Sequence, residues 1–160
     1  MAENGIRLIA TGNLSTIPTP ARRALERVQE ELAENKGMVL NLAVSYGSRS
    51  EITEAAQRFA RDVAEGLRRP EELDESLFSK YLFAPELPDP DLLIRTSGEF
   101  RISNFLLWQI AYSEIYITPT LWPDFRKEEY ISALEEYGRR ERRFGATSEQ
   151  VAGEIMKGSP

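Results

Sequence analysis

Short apolar runs alternate with amphipathic stretches along the chain, and this alternation constrains the fold more than any other feature of the sequence. The segment 38–44, "MVLNLAV", is nearly all apolar, as expected of a strand that is covered on both faces. Downstream of it, apolar residues recur at helical spacing: Ile52, Ala55, Ala56, Phe59 and Val63. Because strand and helix patterns alternate, the sequence predicts an α/β fold with a mostly parallel sheet flanked by helices.

Three further strands are predicted from similar apolar runs. They are "IRLIA" at residues 6–10, "DLLIR" at 91–95 and "EIYIT" at 114–118. A short helix near residues 74–82 and a long final helix at 127–144 complete the outline.

Cap residues predict where the other helices begin. Thr19 is placed to cap a first helix, with Pro20 at its first position, where a missing N–H costs nothing. Ser48 and Glu51 have the spacing of a capping box at the start of the second helix. Ser103 is predicted to be the N-cap of a buried helix.

The composition excludes several classes of function. With no Cys and no His, the chain has no thiol nucleophile, no imidazole base and none of the usual zinc ligand sets. The formal net charge of −6 argues against a broad nucleic-acid surface. The 160 residues predict one domain at 1–145 and a flexible tail at 146–160. No signal-peptide or membrane-spanning pattern is present, which predicts a cytoplasmic protein.

Two arginines lie between two apolar segments in "RTSGEFRISNF", residues 95–105. Arg95 ends a predicted strand and Arg101 precedes a predicted helix start, and ligands of parallel sheets gather where strands end. Arginine offers a fork of donors that matches phosphate oxygens, and Ser103 adds a hydroxyl beside free backbone N–H groups. These residues predict a phosphate or diphosphate site. The alternative is structural: Glu99 pairs with either arginine and the segment is only a capped turn.

Glu114 is a candidate metal ligand. It opens a predicted strand, and a carboxylate together with diphosphate oxygens and water is the usual environment of Mg²⁺. The alternative is a carboxylate at a strand end that faces solvent.

These segments together resemble the cis-prenyltransferases, the isoprenyl diphosphate synthases typified by undecaprenyl diphosphate synthase. The resemblance rests on "DLLIRTSGEFRISNFLLWQIAYSEIYITPTLWPDF", with "LNLAVSYGSRSEI" before it and "RRERRFG" after it. It spans nearly the whole chain and matches the carboxyl-terminal portion of the family pattern.

The resemblance implies an activity and a set of residues. The activity is the condensation of isopentenyl diphosphate with an allylic diphosphate, such as farnesyl diphosphate, to a cis-polyprenyl diphosphate. The family positions that bind isopentenyl diphosphate fall on Arg95, Arg101 and Ser103, with Ile102 contributing through its backbone. The position that coordinates Mg²⁺ falls on Glu114. A homodimer, and peripheral membrane contact through the lipid product, are implied as well.

Two departures from the family pattern bear on function. Phe100 stands where many relatives carry His, and the effect of this difference on metal or diphosphate handling is left open by the sequence. The family's Asp–Gly–Asn segment, with the Asp that assists Mg²⁺ and the allylic diphosphate, has no counterpart here. The expected fold is therefore incomplete at the N-terminus, and no catalytic residue is assigned to this chain.

Three functions remain open at this level. The first is a cis-prenyltransferase in which this chain carries the isopentenyl diphosphate and Mg²⁺ site. The second is a non-catalytic subunit, or a truncated form, that binds isopentenyl diphosphate and needs a partner with the missing half. The third is an α/β protein with a generic anion-binding or structural role.

Overall fold

The computed structural model describes residues 2–140. By their internal contacts these residues form two compact units. The first unit holds the described residues up to Pro88 together with Ile102–Trp108, and the second holds Asp89–Arg101 with the described residues from Gln109 onward. None of the described helices combines the length and the apolar character needed to cross a membrane.

The first unit contains a two-stranded parallel sheet and three α-helices. Strand β1 (Arg7–Thr11) pairs with β2 (Val39–Ala43), with Arg7 opposite Val39 and Thr11 opposite Ala43. The α-helices are α1 (Thr19–Glu31), α2 (Ser48–Ala64) and α3 (Glu75–Ser79). Short 3-10 helices lie at Ala2–Asn4, Leu14–Thr16 and Pro70–Glu72.

The second unit contains a second two-stranded parallel sheet and one α-helix. Strand β3 (Leu92–Arg95) pairs with β4 (Glu114–Ile117), with Leu92 opposite Glu114 and Arg95 opposite Ile117. Helix α4 (Lys127–Arg139) packs against β4, and a 3-10 helix spans Trp122–Asp124.

The predicted α/β class is confirmed, because every described strand pair is parallel and helices flank the strands. All four predicted strands form within a residue or two of their expected bounds. The single domain at 1–145 stays a prediction, and the tail at 146–160 lies outside the described residues.

One predicted helix is wrong. No helix begins near Ser103, since the segment from residue 103 to 112 is a series of turns. Ser103, Asn104 and Leu106 all have positive φ, of 53°, 62° and 46°, which no α-helix can include. Hydrogen bonds to a distant part of the first unit hold this segment and outweigh its helical pattern.

The predicted helix caps also need correction. Helix α1 has Pro18 as its N-cap, one residue before the predicted Thr19, and Pro20 lies within its first two positions. Helix α2 has Gly47 as its N-cap, so Ser48 and Glu51 do not form a capping box. Both of these side chains bond to other segments instead.

The predicted burial of β2 on both faces is wrong for the described residues. Its burial decreases along the strand, and Leu42 is 38% exposed. The physical reason is that a sheet of two strands leaves much of each strand uncovered.

The core of the first unit lies between α2 and α3. Ala55, Phe78 and Leu82 are buried together, and the indole of Trp108 packs against Phe78 with 4.7 Å between ring centroids. The Trp108 Nε1–H donates to the Ser79 hydroxyl at 3.0 Å, so its polar atom is satisfied. This cluster attaches the segment 102–108 to the rest of the unit.

Replacing Phe78 with alanine should destabilise the protein strongly. Phe78 is 8% exposed, and deleting a buried phenyl ring should lower the free energy of unfolding by about 3–5 kcal/mol. Urea unfolding monitored by tryptophan fluorescence measures this loss. The control is Phe100→Ala, since Phe100 is 86% exposed and its loss should change stability by less than about 0.5 kcal/mol. Equal effects of the two substitutions would contradict the described core.

Candidate functional site

Arg95 is the last residue of β3, and its side chain lacks a partner within the described structure. Its carbonyl accepts a hydrogen bond from the Thr118 N–H at 2.9 Å, which fixes the backbone. The buried Nε atom of the guanidinium has no hydrogen-bond partner among the described residues. A buried donor without an acceptor costs about 1–3 kcal/mol, so an anion bound here would stabilise the side chain.

Two other arginines have a buried Nε atom without a partner, but the rest of each guanidinium group is bonded. The Nε atoms of Arg7 and Arg58 are also buried without partners, but these guanidinium groups are engaged elsewhere. Arg7 forms an ion pair with Glu86 at 3.5 Å, and Arg58 donates to the Tyr81 carbonyl. Arg95 is therefore distinguished by having no carboxylate or carbonyl partner within residues 2–140.

The loop after Arg95 is held by backbone hydrogen bonds to the segment after β4. The Ser97 N–H donates to the Thr120 carbonyl at 2.9 Å, and the Gly98 N–H donates to the Thr118 carbonyl at 2.8 Å. Ser97 and Gly98 both have positive φ, of 67° and 64°, a conformation that glycine adopts at little cost. The loop thus leaves the sheet along a defined path toward Arg101.

Arg101 lies at the surface and is paired. Its side chain is 67% exposed, and its Nη1 lies 2.5 Å from Oε2 of Glu99. This is the salt bridge of the structural alternative described above. A guanidinium has five N–H donors, so one carboxylate does not occupy it fully.

Glu114 lies at the opposite end of the same strand pair. It stands opposite Leu92, three residues before the position of Arg95, which is about 10 Å along the strands. Oε2 of Glu114 accepts a hydrogen bond from Nη1 of Arg140 at 3.0 Å, and that Nη1 also donates to the Ile115 carbonyl. Glu136 raises the pKa of Arg140 by accepting a further hydrogen bond, and Glu114 raises it as well.

Glu114 and the residues around it fit a Mg²⁺ ion only if substrate and water supply most of the ion's ligands. Among residues 2–140 no three His, Cys, Asp or Glu side chains converge in a metal-binding group. Mg²⁺ commonly uses one or two carboxylates and completes its octahedron with substrate phosphates and water. Glu114 can supply one such carboxylate, although Arg140 already contacts one of its oxygens.

Ile102 and Ser103 belong to the first unit, where they lie in a turn. The Ile102 carbonyl accepts a hydrogen bond from the Phe105 N–H at 3.3 Å. Ser103 is exposed and has a φ of 53°, so it is not a helix N-cap. Ser103 therefore offers no helix N-terminus to an anion, and its exposed hydroxyl remains as a donor.

A buried polar cluster lies at the start of α2, and the sequence analysis did not predict it. Glu51 is fully buried, and its carboxylate accepts hydrogen bonds from the Tyr46 hydroxyl and from the Phe83 N–H. Ser48 is also fully buried, and its hydroxyl accepts from the Leu107 N–H at 2.9 Å. The sequence feature that could have indicated this cluster is the high density of polar residues in "SYGSRSE", residues 45–51. The spacing of Ser48 and Glu51 was interpreted as a capping box instead.

The first unit also has a pocket of about 440 Å³ at the carboxyl ends of β1 and β2. Its lining includes Gly12, Asn13, Ser45, Ser50, Glu54 and Phe83. None of the binding residues predicted from the sequence contributes to it.

Comparisons with known proteins agree on one family. A family profile described as "Putative undecaprenyl diphosphate synthase" matches residues 1–145. The isoprenyl transferase of Chlorobaculum tepidum is 51% identical over 94% of this chain and 57% of its own length. The isoprenyl transferase of Geobacter sulfurreducens is 50% identical over 94% of this chain and 61% of its own length. The chain thus spans about 60% of the length of these curated relatives.

Solved structures give the same result. Lavandulyl diphosphate synthase from Lavandula x intermedia, solved in complex with dimethylallyl diphosphate, superposes with a TM-score of 0.85 at 42% identity, over 88% of this chain and 60% of that one. A probable undecaprenyl diphosphate synthase from Campylobacter jejuni superposes with a TM-score of 0.77 at 38% identity, over 90% of this chain and 65% of that one.

The contact between Tyr46 and Glu51 predicts how stability changes at alkaline pH. Burial raises the pKa of Tyr46, and the hydrogen bond to Glu51 raises it further. Because the folded protein favours the protonated phenol, this contribution to stability is present below about pH 10 and is lost as the pH rises toward the folded-state pKa. In a titration of the tyrosinate absorbance band, one of the six tyrosines should ionise late because of this contact.

Tyr46→Phe should remove a late component from that titration and flatten the loss of stability above pH 10. The matched control is Tyr130→Phe, since Tyr130 is 47% exposed and its removal should leave the Tyr46 component in place. A titration curve in which Tyr46→Phe removes only an early component would contradict the described contact.

Proposed function

The chain belongs to the undecaprenyl diphosphate synthase family of prenyltransferases, and on this basis we propose that it acts in the condensation of isopentenyl diphosphate with an allylic diphosphate. The product of this condensation is a cis-polyprenyl diphosphate. Within the reaction, this chain carries the binding site for isopentenyl diphosphate. The proposal is supported by the matched family and by the relatives, which are named isoprenyl transferases.

The observation that carries this assignment is the buried Nε of Arg95, which has no hydrogen-bond partner among the described residues. A buried Nε without an acceptor at the carboxyl end of a parallel strand is suited to an anionic ligand. Diphosphate oxygens are suitable acceptors, because arginine binds them through charge-assisted hydrogen bonds. Arg95 falls on a position that binds isopentenyl diphosphate in the family pattern.

Arg101, Ile102 and Ser103 follow consecutively in the chain and complete the proposed binding residues. Arg101 contributes positive charge, although Glu99 shares its guanidinium. Ser103 contributes an exposed hydroxyl donor, and Ile102 contributes through its backbone. These donors bind the acceptor's diphosphate and orient its double bond toward the allylic carbon.

In the condensation, the double bond of isopentenyl diphosphate attacks the first carbon of the allylic substrate. A new carbon–carbon bond forms as the allylic carbon–oxygen bond breaks and diphosphate leaves, and a proton is then lost from the acceptor carbon. The residues of this chain act by holding the acceptor. Ionisation of the allylic diphosphate needs a second anion site and exclusion of water, which this chain's assigned residues do not supply.

Mg²⁺ is the cofactor that fits this proposal. Glu114 would hold it through one carboxylate, with diphosphate oxygens and water as the other ligands. When bound, the ion neutralises diphosphate charge. Because Glu114 forms an ion pair with Arg140, a bound metal ion and the Arg140 guanidinium would compete for the same carboxylate.

A second candidate function is that of a subunit that binds isopentenyl diphosphate without catalysing transfer by itself. In this chain, which spans 57% and 61% of the length of the two relatives, no residue is assigned to the allylic diphosphate. In that case a partner supplies the aspartate that handles the allylic diphosphate. Turnover by the pure chain distinguishes the enzyme from such a subunit.

The proposed assembly is a cytoplasmic homodimer that meets the membrane surface through its lipid product. Dimerisation is supported by large apolar side chains of the second unit that are more than a third exposed, and aromatic residues of this kind are enriched at protein interfaces. They are Phe100, Tyr112, Ile115, Leu121, Trp122, Tyr130, Ile131 and Leu134.

Arg95→Ala should weaken the binding of isopentenyl diphosphate. Loss of hydrogen bonds from a charged donor costs about 1.5–3 kcal/mol, so the dissociation constant should rise about tenfold to a hundredfold. Isothermal titration calorimetry on the full chain measures this change. The control is Arg27→Ala, since Arg27 is 71% exposed on α1 and its removal changes the net charge equally. If both variants bind as tightly as the parent protein, the arginine has only a structural role.

Glu114→Gln should reduce the effect of Mg²⁺ on the same binding reaction. In the parent protein, magnesium chloride should tighten isopentenyl diphosphate binding relative to EDTA, because an ion held by Glu114 would neutralise diphosphate charge. In Glu114→Gln most of this tightening should disappear. Glu135→Gln, which alters a 62% exposed carboxylate on α4, is the matched control. An unchanged magnesium effect in Glu114→Gln would show that this residue is not the ligand.

A further inference from the structure

Asn104 provides the cap of a helix that begins far away in the sequence. Helix α2 starts at Ser48, and its N-cap residue, Gly47, has no side chain to accept its free N–H groups. The Ser48 N–H donates to the Asn104 carbonyl at 2.8 Å, and the Arg49 N–H donates to the Asn104 Oδ1 at 2.9 Å. A residue 55 positions downstream thus does what a local Ser, Asp or Asn usually does.

The glycine before α2 permits this contact. A Cβ atom at Gly47 would lie only 2.8 Å from the Asn104 Nδ2, closer than side chains normally approach. Gly47 has an extended backbone, with a φ of −156°, so close approach rather than backbone freedom accounts for the glycine. The start of α2 and the side chain of Asn104 are therefore in direct contact.

The segment that Asn104 anchors has an unfavourable backbone conformation. Ser103 and Leu106 have φ of 53° and 46°, where a residue with a Cβ costs about 1–2 kcal/mol. Asn104, with a φ of 62°, is the type of residue that tolerates this region best after glycine. Such conformations persist only where surrounding contacts impose them.

The contacts that impose this conformation come from the first turn of α2. Asn104 accepts hydrogen bonds from two backbone N–H groups of that turn. Three residues further along the chain, the Leu107 N–H donates to the buried Ser48 hydroxyl. Ser103 lies directly before this anchored stretch and is itself exposed. Its backbone direction is consequently set by Asn104.

We propose that Asn104 is a positioning residue for isopentenyl diphosphate binding. Its hydrogen bonds to the start of α2 hold the neighbouring residue, Ser103, in a left-handed backbone conformation. This inference rests on the proposed function, in which Ser103 donates to the diphosphate. Asn104 itself does not need to touch the ligand, because its carbonyl and its Oδ1 are both occupied by α2. Its effect on binding must therefore pass through Ser103.

A double-mutant cycle tests this dependence. The dissociation constant of isopentenyl diphosphate is measured by calorimetry for the parent chain, Ser103→Ala, Asn104→Ala and the double variant. Ser103→Ala should weaken binding about tenfold, the value of one hydrogen bond to a charged group. Asn104→Ala should weaken it by a similar factor, and the double variant should be no weaker than either single variant.

A second asparagine supplies the control for general destabilisation. The Asn35 side chain likewise bonds to distant backbone in the same unit, but as a donor, from its Nδ2 to the Ile6 carbonyl at 2.8 Å. Asn35→Ala should lower the thermal stability without changing the dissociation constant. Amide hydrogen exchange should show faster exchange at Arg49 in Asn104→Ala, which reports loss of the cap independently of any ligand.

The outcomes separate this inference from the function on which it rests. If the parent chain does not bind isopentenyl diphosphate, or Ser103→Ala binds as well as the parent, the proposed role of Ser103 fails and the inference fails with it. If Ser103→Ala weakens binding but Asn104→Ala does not, only the positioning role is overturned. The positioning role is also overturned if the dissociation constant of the double variant rises about a hundredfold, the product of the two single effects. Asn104 would then act independently of Ser103.

Discussion

Ser48 and Glu51 have the largest fully buried side chains of the described residues, and both are polar. A buried hydroxyl or carboxylate is tolerated only when hydrogen bonds replace those lost to water. Glu51 obtains them from Tyr46 and from the Phe83 backbone, and Ser48 obtains one from the Leu107 backbone. The first turn of α2 thus requires three separate segments to be in place. The shape of the segment 102–108 follows from this requirement.

In the second unit, the two ends of the β3–β4 pair differ in charge. At the carboxyl end, Arg95 has a buried donor without a described partner. At the amino end, Glu114 and Arg140 neutralise each other in an ion pair. An unpartnered guanidinium is unfavourable for folding alone, and natural proteins tend to keep such groups where a ligand uses them. This contrast supports Arg95 as a ligand-binding residue more strongly than it supports Glu114.

Much of the fold could be predicted from the sequence, because strands and long helices depend mainly on local periodicity. The four strands and helices α1 and α2 lie close to their predicted positions, and α4 begins at the predicted residue but ends at Arg139 instead of 144. The helix predicted at Ser103 is wrong for a physical reason. Its apolar residues have helical spacing, but left-handed turns are favoured there because Asn104 accepts hydrogen bonds from the first turn of α2 and the Leu107 N–H donates to the Ser48 hydroxyl. The same competition explains the capping box, because Ser48 and Glu51 bond to distant segments.

The sequence by itself determined the α/β class, the parallel strands and the arginine-rich segment, since these follow from residue order and from patterns a few residues long. It also contained the motifs through which the family could be recognised. Only the tertiary structure decided which polar groups meet. It paired Arg101 with Glu99 and Glu114 with Arg140, left the Nε of Arg95 without a described partner, and joined Asn104 to α2. Hydrogen bonds and ion pairs between segments depend on how the whole chain packs, and no local pattern encodes them.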